Sequence, residues 1–498
     1  MKKFILQRMM LLLFATFALL STTSCEREFL ETDPTTSVST DLATATVDNL
    51  SYIVNGMHRN MYVRQNSSQG QNGGTGILIY MDVLGDDVIF PSTGNGWYVS
   101  TLRWLDNNNP NSGNLYYPYN FYYKQIGNAN IVINRAEAAT GDEAEKARVL
   151  GEAYAFRAYS YFMLAQIYGK RYVPGGNNSQ LGVPLRLDES FEAIARATVE
   201  EVYSSVNSDL DKAQSLLKGK ASSNKSHFNY NVVKGLQARV ALTQGKYVEA
   251  AAFAKEARDG SSLMSNSAYK AGFNDYTNGE WLWGYRIQED QSDYFGNFMA
   301  YMSRNYNSTQ IRGAPKVVNE NLFKAFPSTD VRTQVIDPTG QHTALGLPSN
   351  YSKFPYTSQK FLSQSVSVSL GDIPFMRAAE MYLIEAEALA RSGREQDSKA
   401  VFTLLEKNRN PSYVTTSATG AAYLDEIMNS RRLELWGEGF RFLDLKRLNL
   451  DLDRRNANFV ESVVNNVMFV PSTDPKWTWL IPQSEIDNSK GLVEQNEL

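Results

Sequence analysis

Residues 143–168 read EAEKARVLGEAYAFRAYSYFMLAQIY and carry the strongest helical signal of the chain. Apolar residues recur there at spacings of three and four, which places them on one face of a helix. They are Leu150, Tyr154, Ala158, Tyr161, Ala165 and Tyr168. Gly169 ends the pattern, and a Pro-Gly-Gly-Asn-Asn loop follows at 174–178. The core is therefore expected to form from helices that pack through one apolar face.

Other segments predict further helices. Thr198, with Glu201 three residues later, forms a capping box that begins a helix reaching to about Leu217. Similar periodicity covers residues 231–257 with a break at Gly245, then 376–391, 398–408 and 422–436. These segments form pairs of helices joined by short glycine-containing turns, an arrangement typical of helical-repeat proteins.

Small residues in two of the helix pairs lie where a tetratricopeptide repeat places them. The first pair carries Ala238, Gly245 and Ala250, and the second carries Ala386 and Gly393. We therefore predict a mainly α fold, a tetratricopeptide-like helical-repeat scaffold (an α-α superhelix) with long irregular insertions that carry short strands. The scaffold is expected mainly over 120–260 and 370–450, and the insertions at about 60–115 and 270–365.

Two stretches differ from this scaffold in composition. Residues 35–140 and 270–360 are rich in Asn, Gly, Ser and aromatic residues, with only short apolar runs such as 76–83 and 280–287. Trp281, Trp283 and Tyr285 alternate within the second run, which predicts a strand with a structural role. Loops on a rigid scaffold are where binding usually takes place, so these insertions are the expected ligand-binding region.

Composition limits the possible ligands. The 498 residues include 49 Lys and Arg against 53 Asp and Glu, a formal net charge of −4. This balance argues against nucleic acid as a partner, because phosphate binding needs a concentrated basic surface. Aromatic residues make up 12% of the chain, which suits a ligand with both apolar and hydroxyl-bearing faces.

The N-terminus has the pattern of an export signal. Three basic residues precede the apolar run 9–20, which is too short to span a bilayer. Cys25, the only cysteine of the chain, follows a short polar stretch and resembles the lipidated residue of a bacterial lipobox, although Thr22 stands where many lipoboxes have Leu. We predict a lipoprotein signal peptide at 1–24, a lipidated tether at 25–40 and the main domain at 41–498. The alternative is an ordinary signal peptide beside a chance cysteine.

Catalytic motifs are missing from the sequence. Its three histidines, His58, His227 and His342, are far apart and lack metal-ligand spacing, so neither a metal nor a cofactor is expected. No Gly-x-Ser-x-Gly motif, P-loop or Gly-x-Gly-x-x-Gly motif occurs. Asp86 and Asp87 offer carboxylates, so a glycosidase remains an alternative to a protein without catalytic residues.

Aromatic residues in the insertions are the candidate binding groups. A flat ring stacks on the C–H face of a sugar, while neighbouring amides and carboxylates bond its hydroxyls. The candidates for glycan binding are Asp86, Asn95, Trp97 and Tyr98 in the first insertion, with Tyr294, Tyr301 and Tyr306 in the second. The alternative for each ring is that it packs the insertion against the scaffold.

Four motifs resemble one family. Residues 373–388 read IPFMRAAEMYLIEAEA, and residues 431–447 read RRLELWGEGFRFLDLKR. Residues 480–486 read LIPQSEI, and residues 157–162 read RAYSYF. Together with the lipobox, these motifs are similar to those of the SusD/RagB outer-membrane nutrient-uptake lipoproteins, and the similarity fades in the two insertions.

The resemblance implies a lipoprotein of the cell outer membrane, facing outside and held there by membrane lipid on Cys25. It implies capture of oligosaccharides, or of peptides in some members, for a SusC-type TonB-dependent transporter, without catalysis. The motif residues are expected to be structural, with ion pairs and caps formed by Glu434, Glu438, Arg441, Asp444 and Arg447. No binding residue carries over from the family. An envelope-assembly scaffold and a glycoside hydrolase are the remaining alternatives.

Overall fold

The structure is a computed structural model that describes residues 40–222, 224–293 and 295–497. The predicted signal peptide, Cys25 and the tether up to residue 39 lie outside the described residues. The long helices in the first half are α2 (Val47–Asn60), α3 (Gly73–Val83), α5 (Gly113–Arg135), α6 (Glu143–Tyr168), α7 (Val199–Leu217), α8 (Tyr230–Gln244) and α9 (Tyr247–Ala257). Those in the second half are α15 (Ala378–Arg391), α16 (Glu395–Arg409), α17 (Gly420–Glu434) and α18 (Arg441–Leu448).

Short elements connect the long helices. The short helices are α1 (Thr40–Ala43), α4 (Val99–Leu102), α10 (Asn266–Tyr269), α11 (Phe298–Met302), α12 (Thr309–Gly313), α13 (Glu320–Lys324), α14 (Val331–Gln334) and α19 (Gln483–Asn488). The strands are β1 (Val88–Ile89), β2 (Leu181–Pro184), β3 (Arg196–Thr198), β4 (Trp281–Tyr285), β5 (Val317–Val318), β6 (Ile336–Asp337), β7 (Thr357–Ser358), β8 (Ile373–Arg377), β9 (Leu452–Asp453) and β10 (Phe469–Val470).

Successive helices pack side by side and confirm the predicted mainly helical, tetratricopeptide-like scaffold. Contacts run from α5 to α6, then through α7, α8 and α9, and continue to α15 and α16. A buried ion pair joins α6 to α7, with Arg157 Nε 2.7 Å from Asp209 Oδ2. Since α9 contacts α15 directly, residues 258–377 form an insertion that leaves the superhelix and returns to it.

Several predicted boundaries are confirmed. Helix α6 covers the predicted residues, and the capping box of Thr198 and Glu201 begins α7. Gly245 separates α8 from α9 with a φ of 72°, a left-handed conformation that glycine adopts without steric cost. The helix predicted from residue 376 begins at Ala378 instead, because residues 373–377 form strand β8 and pair with β4.

The first predicted insertion, at about 60–115, is less irregular than expected, because it contains the helix α3. Helix α3 is buried along its whole length, so its apolar residues surround the helix and show no periodicity. A four-stranded sheet in the order β1-β5-β7-β6 then joins the two insertions, with Val88 opposite Val318. None of the helices described between residues 40 and 497 is long and apolar enough to cross a bilayer.

The predicted structural role of the 281–285 strand is confirmed. All five residues of β4 are buried, and the Trp283 side chain is fully enclosed. Its ring centroid lies 4.8 Å from that of Phe375, 4.9 Å from that of Phe228 and 5.4 Å from that of Tyr159. Trp283 therefore packs the start of the second insertion against the scaffold.

Buried ion pairs fix the junction of β8, α16 and α17. Glu434 Oε1 lies 2.8 Å from Arg377 Nη1, and Glu434 Oε2 lies 3.0 Å from Arg409 Nε, with all three side chains fully buried. Both arginines also pair with Glu280, which immediately precedes β4. Burial alone would raise the pKa of Glu434, but Arg409 and Arg377 outweigh it and hold that pKa far below its usual value.

The other charged residues of the motifs also form ion pairs, as predicted. Glu438 pairs with Arg377 and with Lys360 of the second insertion. Asp444 pairs with Arg431 and Arg447 at 2.7 and 2.8 Å, and Arg447 continues to Glu387 of α15 at 2.7 Å. The prediction that these residues form structural ion pairs is therefore confirmed.

We expect Glu434→Gln to lower the free energy of unfolding by about 3–5 kcal/mol, because it removes the shared partner of two buried arginines. Urea unfolding followed by circular dichroism measures this. Asp453→Asn is the matched control, since Asp453 pairs with Arg455 at the surface, where both side chains are about half exposed. Equal midpoints for the two variants would contradict a structural role for the buried pairs.

Candidate ligand-binding site

A tight turn of the first insertion presents Trp97. The Gly96 amide donates to the Thr93 carbonyl oxygen at 2.9 Å, and Gly96 has a φ of 85°. The backbone N–H of Asn95 donates to Gln310 Oε1 of α12 at 3.0 Å. A Cβ added at Gly94 would lie 2.8 Å from that same Gln310 oxygen, so glycine lets the turn approach the second insertion closely.

The rings of Trp97, Tyr98 and Tyr301 pack on one another and join the two insertions. The Trp97 and Tyr301 centroids lie 5.9 Å apart, and the Tyr98 and Tyr301 centroids lie 5.0 Å apart, both with edge-to-face geometry. A Cβ at Gly70 would lie 3.0 Å from the Trp97 ring, so the ring rests directly on the chain at Gly70. Trp97 is partly exposed and Asn95 is exposed. We call Asn95, Trp97, Tyr98 and Tyr301 the aromatic ridge.

Tyr98 supports the ridge from a strained backbone position. Its φ of 64° lies in the left-handed region, which costs a non-glycine residue on the order of 1–3 kcal/mol and is enriched at ligand sites. The Tyr98 hydroxyl donates to the Gly70 carbonyl oxygen at 3.1 Å. Its side chain is 4% exposed, and burial raises the pKa of the hydroxyl well above the usual value.

A charged pair borders the ridge. Arg64 of the first insertion pairs with Asp293 of the second, and their side chains are 32% and 24% exposed. Burial raises the pKa of Tyr301. The Arg64 charge lowers that pKa, and the Asp293 charge raises it. Phe295 follows in the same segment and is half exposed. The surface thus offers ring faces together with amide, guanidinium and carboxylate groups, the combination that sugars require.

The predicted site residues have different surroundings. The structure brings Asn95, Trp97, Tyr98 and Tyr301 together, whereas Tyr294 lies outside the described residues. Tyr301 is 2% exposed and Tyr306 is 1% exposed, so the described conformation buries both rings. A binding role for each of these residues stays a prediction, and direct stacking is open to Trp97 because its ring is partly exposed.

Asp86 lies in a different environment from the one expected of a ligand-binding group. Its two carboxylate oxygens lie 2.5 and 3.1 Å from the Arg441 guanidinium, and its side chain is 8% exposed. Burial would raise the pKa of Asp86, but Arg441 outweighs it and lowers that pKa. Asp87 pairs with Arg432 at 2.7 Å. Both carboxylates therefore join the first insertion to the segment around α17 and α18.

A cleft of about 850 Å³, which the sequence did not reveal, lies between α5, the 184–193 segment and α19. Tyr116, Tyr119 and Tyr123 line it at helical spacing, and the fully exposed ring of Phe191 stands at its edge. The side-chain amide of Asn120 donates to Asn66 Oδ1 at 3.4 Å, which connects the cleft with the loop beneath the ridge. The helical spacing of these tyrosines is the sequence signal that could have pointed to the cleft.

Two of the three histidines are neighbours in the structure, contrary to the separation that the sequence suggested. His58 Nε2 lies 2.6 Å from Glu152 Oε2, and His227 Nδ1 lies 2.9 Å from the same oxygen. Burial lowers the pKa of His58 to about 4, although Glu152 acts in the opposite direction. His342 lies elsewhere, bonded to Gln359 and Thr357 of the second insertion.

Comparison with known families agrees with this architecture. A family model described as "Starch-binding associating with outer membrane" matches residues 28–242, and a model described as "SusD family" matches residues 294–498. The two matches leave out residues 243–293, which contain α9 and β4. The chain belongs to the SusD/RagB family.

Individual relatives are distant in sequence and similar in fold. The SusD-like protein P38 of Formosa agariphila is 24% identical over 404 residues, which cover 69% of this chain and 75% of that protein. A SusD-like carbohydrate binding protein from Bacteroides vulgatus superposes with a TM-score of 0.77 at 22% identity, covering 90% of this chain and 97% of that one. A SusD superfamily protein from Bacteroides thetaiotaomicron also gives 0.77, at 25% identity, covering 91% and 100%.

Two substitutions of Tyr301 separate the contribution of its ring from that of its hydroxyl. The hydroxyl is buried without a hydrogen-bond partner among the described residues. We expect Tyr301→Phe to keep or raise the free energy of unfolding by about 1 kcal/mol, because an unsatisfied buried polar group is removed. Tyr301→Ala should lower it by about 3–5 kcal/mol through the cavity it leaves. A marked loss of stability in Tyr301→Phe, measured by urea unfolding, would show that the hydroxyl has a partner.

Proposed function

We propose that this protein captures oligosaccharides at the aromatic ridge and passes them to a SusC-type TonB-dependent transporter of the outer membrane. The observation that carries this proposal is the partly exposed Trp97 ring, which both insertions hold in place. The ring rests on Gly70 and on the edge of Tyr301, so little freedom remains to be lost when a sugar stacks on it. Asn95 and the Arg64–Asp293 pair supply hydroxyl-binding groups nearby.

The relatives support a carbohydrate as the ligand. One of the two matching family models is described as starch-binding, and the related Bacteroides vulgatus protein is described as carbohydrate binding. Stacking contributes about 0.5–1.5 kcal/mol per ring beyond the area it buries. A few such contacts give micromolar to millimolar affinity, which suits a protein that must release its ligand to a transporter.

The carboxylates near the insertions support a role without catalysis. Glycoside hydrolysis needs two carboxyl groups facing the scissile bond from opposite sides. Asp86 is paired with Arg441, Asp87 with Arg432 and Asp293 with Arg64. Each of these groups is held by a guanidinium in the described structure, so none is available as a free acid and nucleophile.

The membrane anchor is part of the proposal. We infer that cleavage before Cys25 leaves a lipidated cysteine, a tether over residues 25–40 and a binding domain over 41–498. The match to an outer-membrane-associated family supports this assignment. Two or more acyl chains hold a protein durably, since each buried CH₂ contributes about 0.8 kcal/mol.

Binding by three single-residue variants tests the ridge. A glycan array first selects an oligosaccharide, and calorimetry then measures its affinity. Trp97→Ala should weaken binding by about tenfold, because it removes the exposed stacking face. Tyr52→Ala is the matched control, since Tyr52 is an aromatic residue on α2 with 68% exposure outside both candidate surfaces. Phe191→Ala tests the cleft and should leave the affinity unchanged.

The outcomes separate the alternatives. If Phe191→Ala lost affinity and Trp97→Ala bound normally, the binding site would be the cleft and not the ridge. If the protein bound peptides and no glycan, the ligand would be a peptide and not an oligosaccharide. New reducing ends after incubation with the selected glycan would contradict the absence of catalysis.

Cys25→Ser tests the anchor. We expect the variant to lose its membrane association and acylation, because serine cannot form the thioether to diacylglycerol. Fractionation of the cells and labelling with a radioactive fatty acid measure both properties, with Trp97→Ala as a control that should stay in the membrane. Acylation that persists in Cys25→Ser would contradict this assignment.

A further inference from the structure

His58, Glu152 and His227 form a buried cluster that shares no residue with the ridge or the cleft. His58 lies on α2, Glu152 lies on α6, and His227 precedes α8. Their ligand atoms all lie within 4.8 Å of one another. The side chains of His58 and Glu152 are 5% and 0% exposed, and that of His227 is 15% exposed. His58 and Glu152 are thus enclosed by protein, and solvent can approach the cluster mainly beside His227.

We propose that this cluster binds one zinc ion through His58 Nε2, His227 Nδ1 and Glu152 Oε2. Two imidazole nitrogens and one carboxylate oxygen form a well-known ligand set for Zn²⁺, with metal–ligand distances of about 2.0–2.2 Å. Tetrahedral ligand atoms at that distance lie about 3.4 Å apart. Glu152 Oε2 lies 2.6 and 2.9 Å from the two nitrogens, so an outward movement of less than about 1 Å admits the ion.

Neighbouring groups orient the ligands for this purpose. Tyr285 Oη lies 3.3 Å from His58 Nδ1, so it can accept a hydrogen bond from the Nδ1–H when Nε2 binds the metal. Arg148 holds Glu152 Oε1 and leaves Oε2 to face the histidines. These are the partners that metal-binding histidines and carboxylates usually have outside the ligand shell.

The local charge favours a cation despite Arg148. Glu145 pairs with the same guanidinium from the solvent side and compensates its charge. Glu152 then contributes one negative charge, and a neutral imidazole is the form of histidine that binds metal. Three protein ligands leave a fourth position, which water can fill from the partly exposed side of His227.

The competing explanation is a hydrogen-bonded network without metal. Each histidine would then donate an N–H to Glu152 Oε2, and the Tyr285 hydroxyl would donate to His58 Nδ1. That network satisfies the same atoms but gives no affinity for zinc. The two explanations therefore differ in metal binding, which is directly measurable.

The bound ion would join three parts of the chain. It would tie α2, the first long helix after the N-terminal segment, to α6 and to the segment that enters α8. Binding to the folded state alone stabilises that state, by about 2.7 kcal/mol at a hundredfold excess over the dissociation constant. The site is thus a clamp on the scaffold, independent of the proposed glycan binding.

Zinc titration of the acylated, detergent-solubilised mature protein tests the proposal. After treatment with a chelator and its removal, calorimetry with ZnCl₂ should give one site per chain with micromolar or tighter affinity. Substitution with Co²⁺ should give the visible absorption bands of a four-coordinate site. His227→Gln should weaken zinc binding at least tenfold, whereas His342→Gln should leave it unchanged. Absence of saturable zinc binding, or equal binding by His227→Gln, would overturn the proposal.

X-ray absorption of the zinc-loaded native protein gives a test that needs no variant. We expect two histidine nitrogens and additional oxygen ligands at about 2.0–2.2 Å. A shell of oxygen alone would show that zinc binds elsewhere and would also overturn the proposal. This measurement keeps its meaning if His227→Gln fails to fold.

Discussion

The buried pairing of Arg377 and Arg409 with Glu434 and Glu280 is the interaction on which the remainder of the structure depends. It connects β8, α16 and α17 with the residue that precedes β4, and all four side chains are fully buried. Burying an ion is costly unless its partners are complete, so each of these charges requires the others. The ion pairs therefore hold the helical scaffold and β4 of the second insertion in a fixed relative position.

Ion pairs also attach the two insertions to the scaffold. Asp86 and Asp87 attach the first insertion to Arg441 and Arg432, and Lys360 attaches the second insertion to Glu438. Both insertions are thus anchored to the motif that runs from the end of α17 into the start of α18. The sheet that pairs Val88 with Val318 then holds them against each other. This explains how long connections of irregular structure can hold Trp97 in one orientation.

The sequence predicted the scaffold well where periodicity and capping agree, as at α6 and α7. It failed at α3, because a helix buried on every side has no polar face to mark its period. It also missed the neighbourhood of His58 and His227, since a contact between α2 and the segment before α8 depends on tertiary packing that local spacing does not encode. For the candidate site, the sequence proposes Trp97 from its loop context, but only the structure shows that Tyr98, Tyr301 and Asp86 are buried.

Direct contact between α9 and α15 has a consequence for the evolution of specificity. The stretch from 258 to 377 begins and ends at helices that already pack together, so its ends stay close whatever its length. The entropic cost of closing a loop grows only with the logarithm of its length. Residues 286–372, which connect the paired strands β4 and β8, can therefore change in length while Glu280, Arg377 and the helices keep their packing, so a different surface can be carried on the same frame.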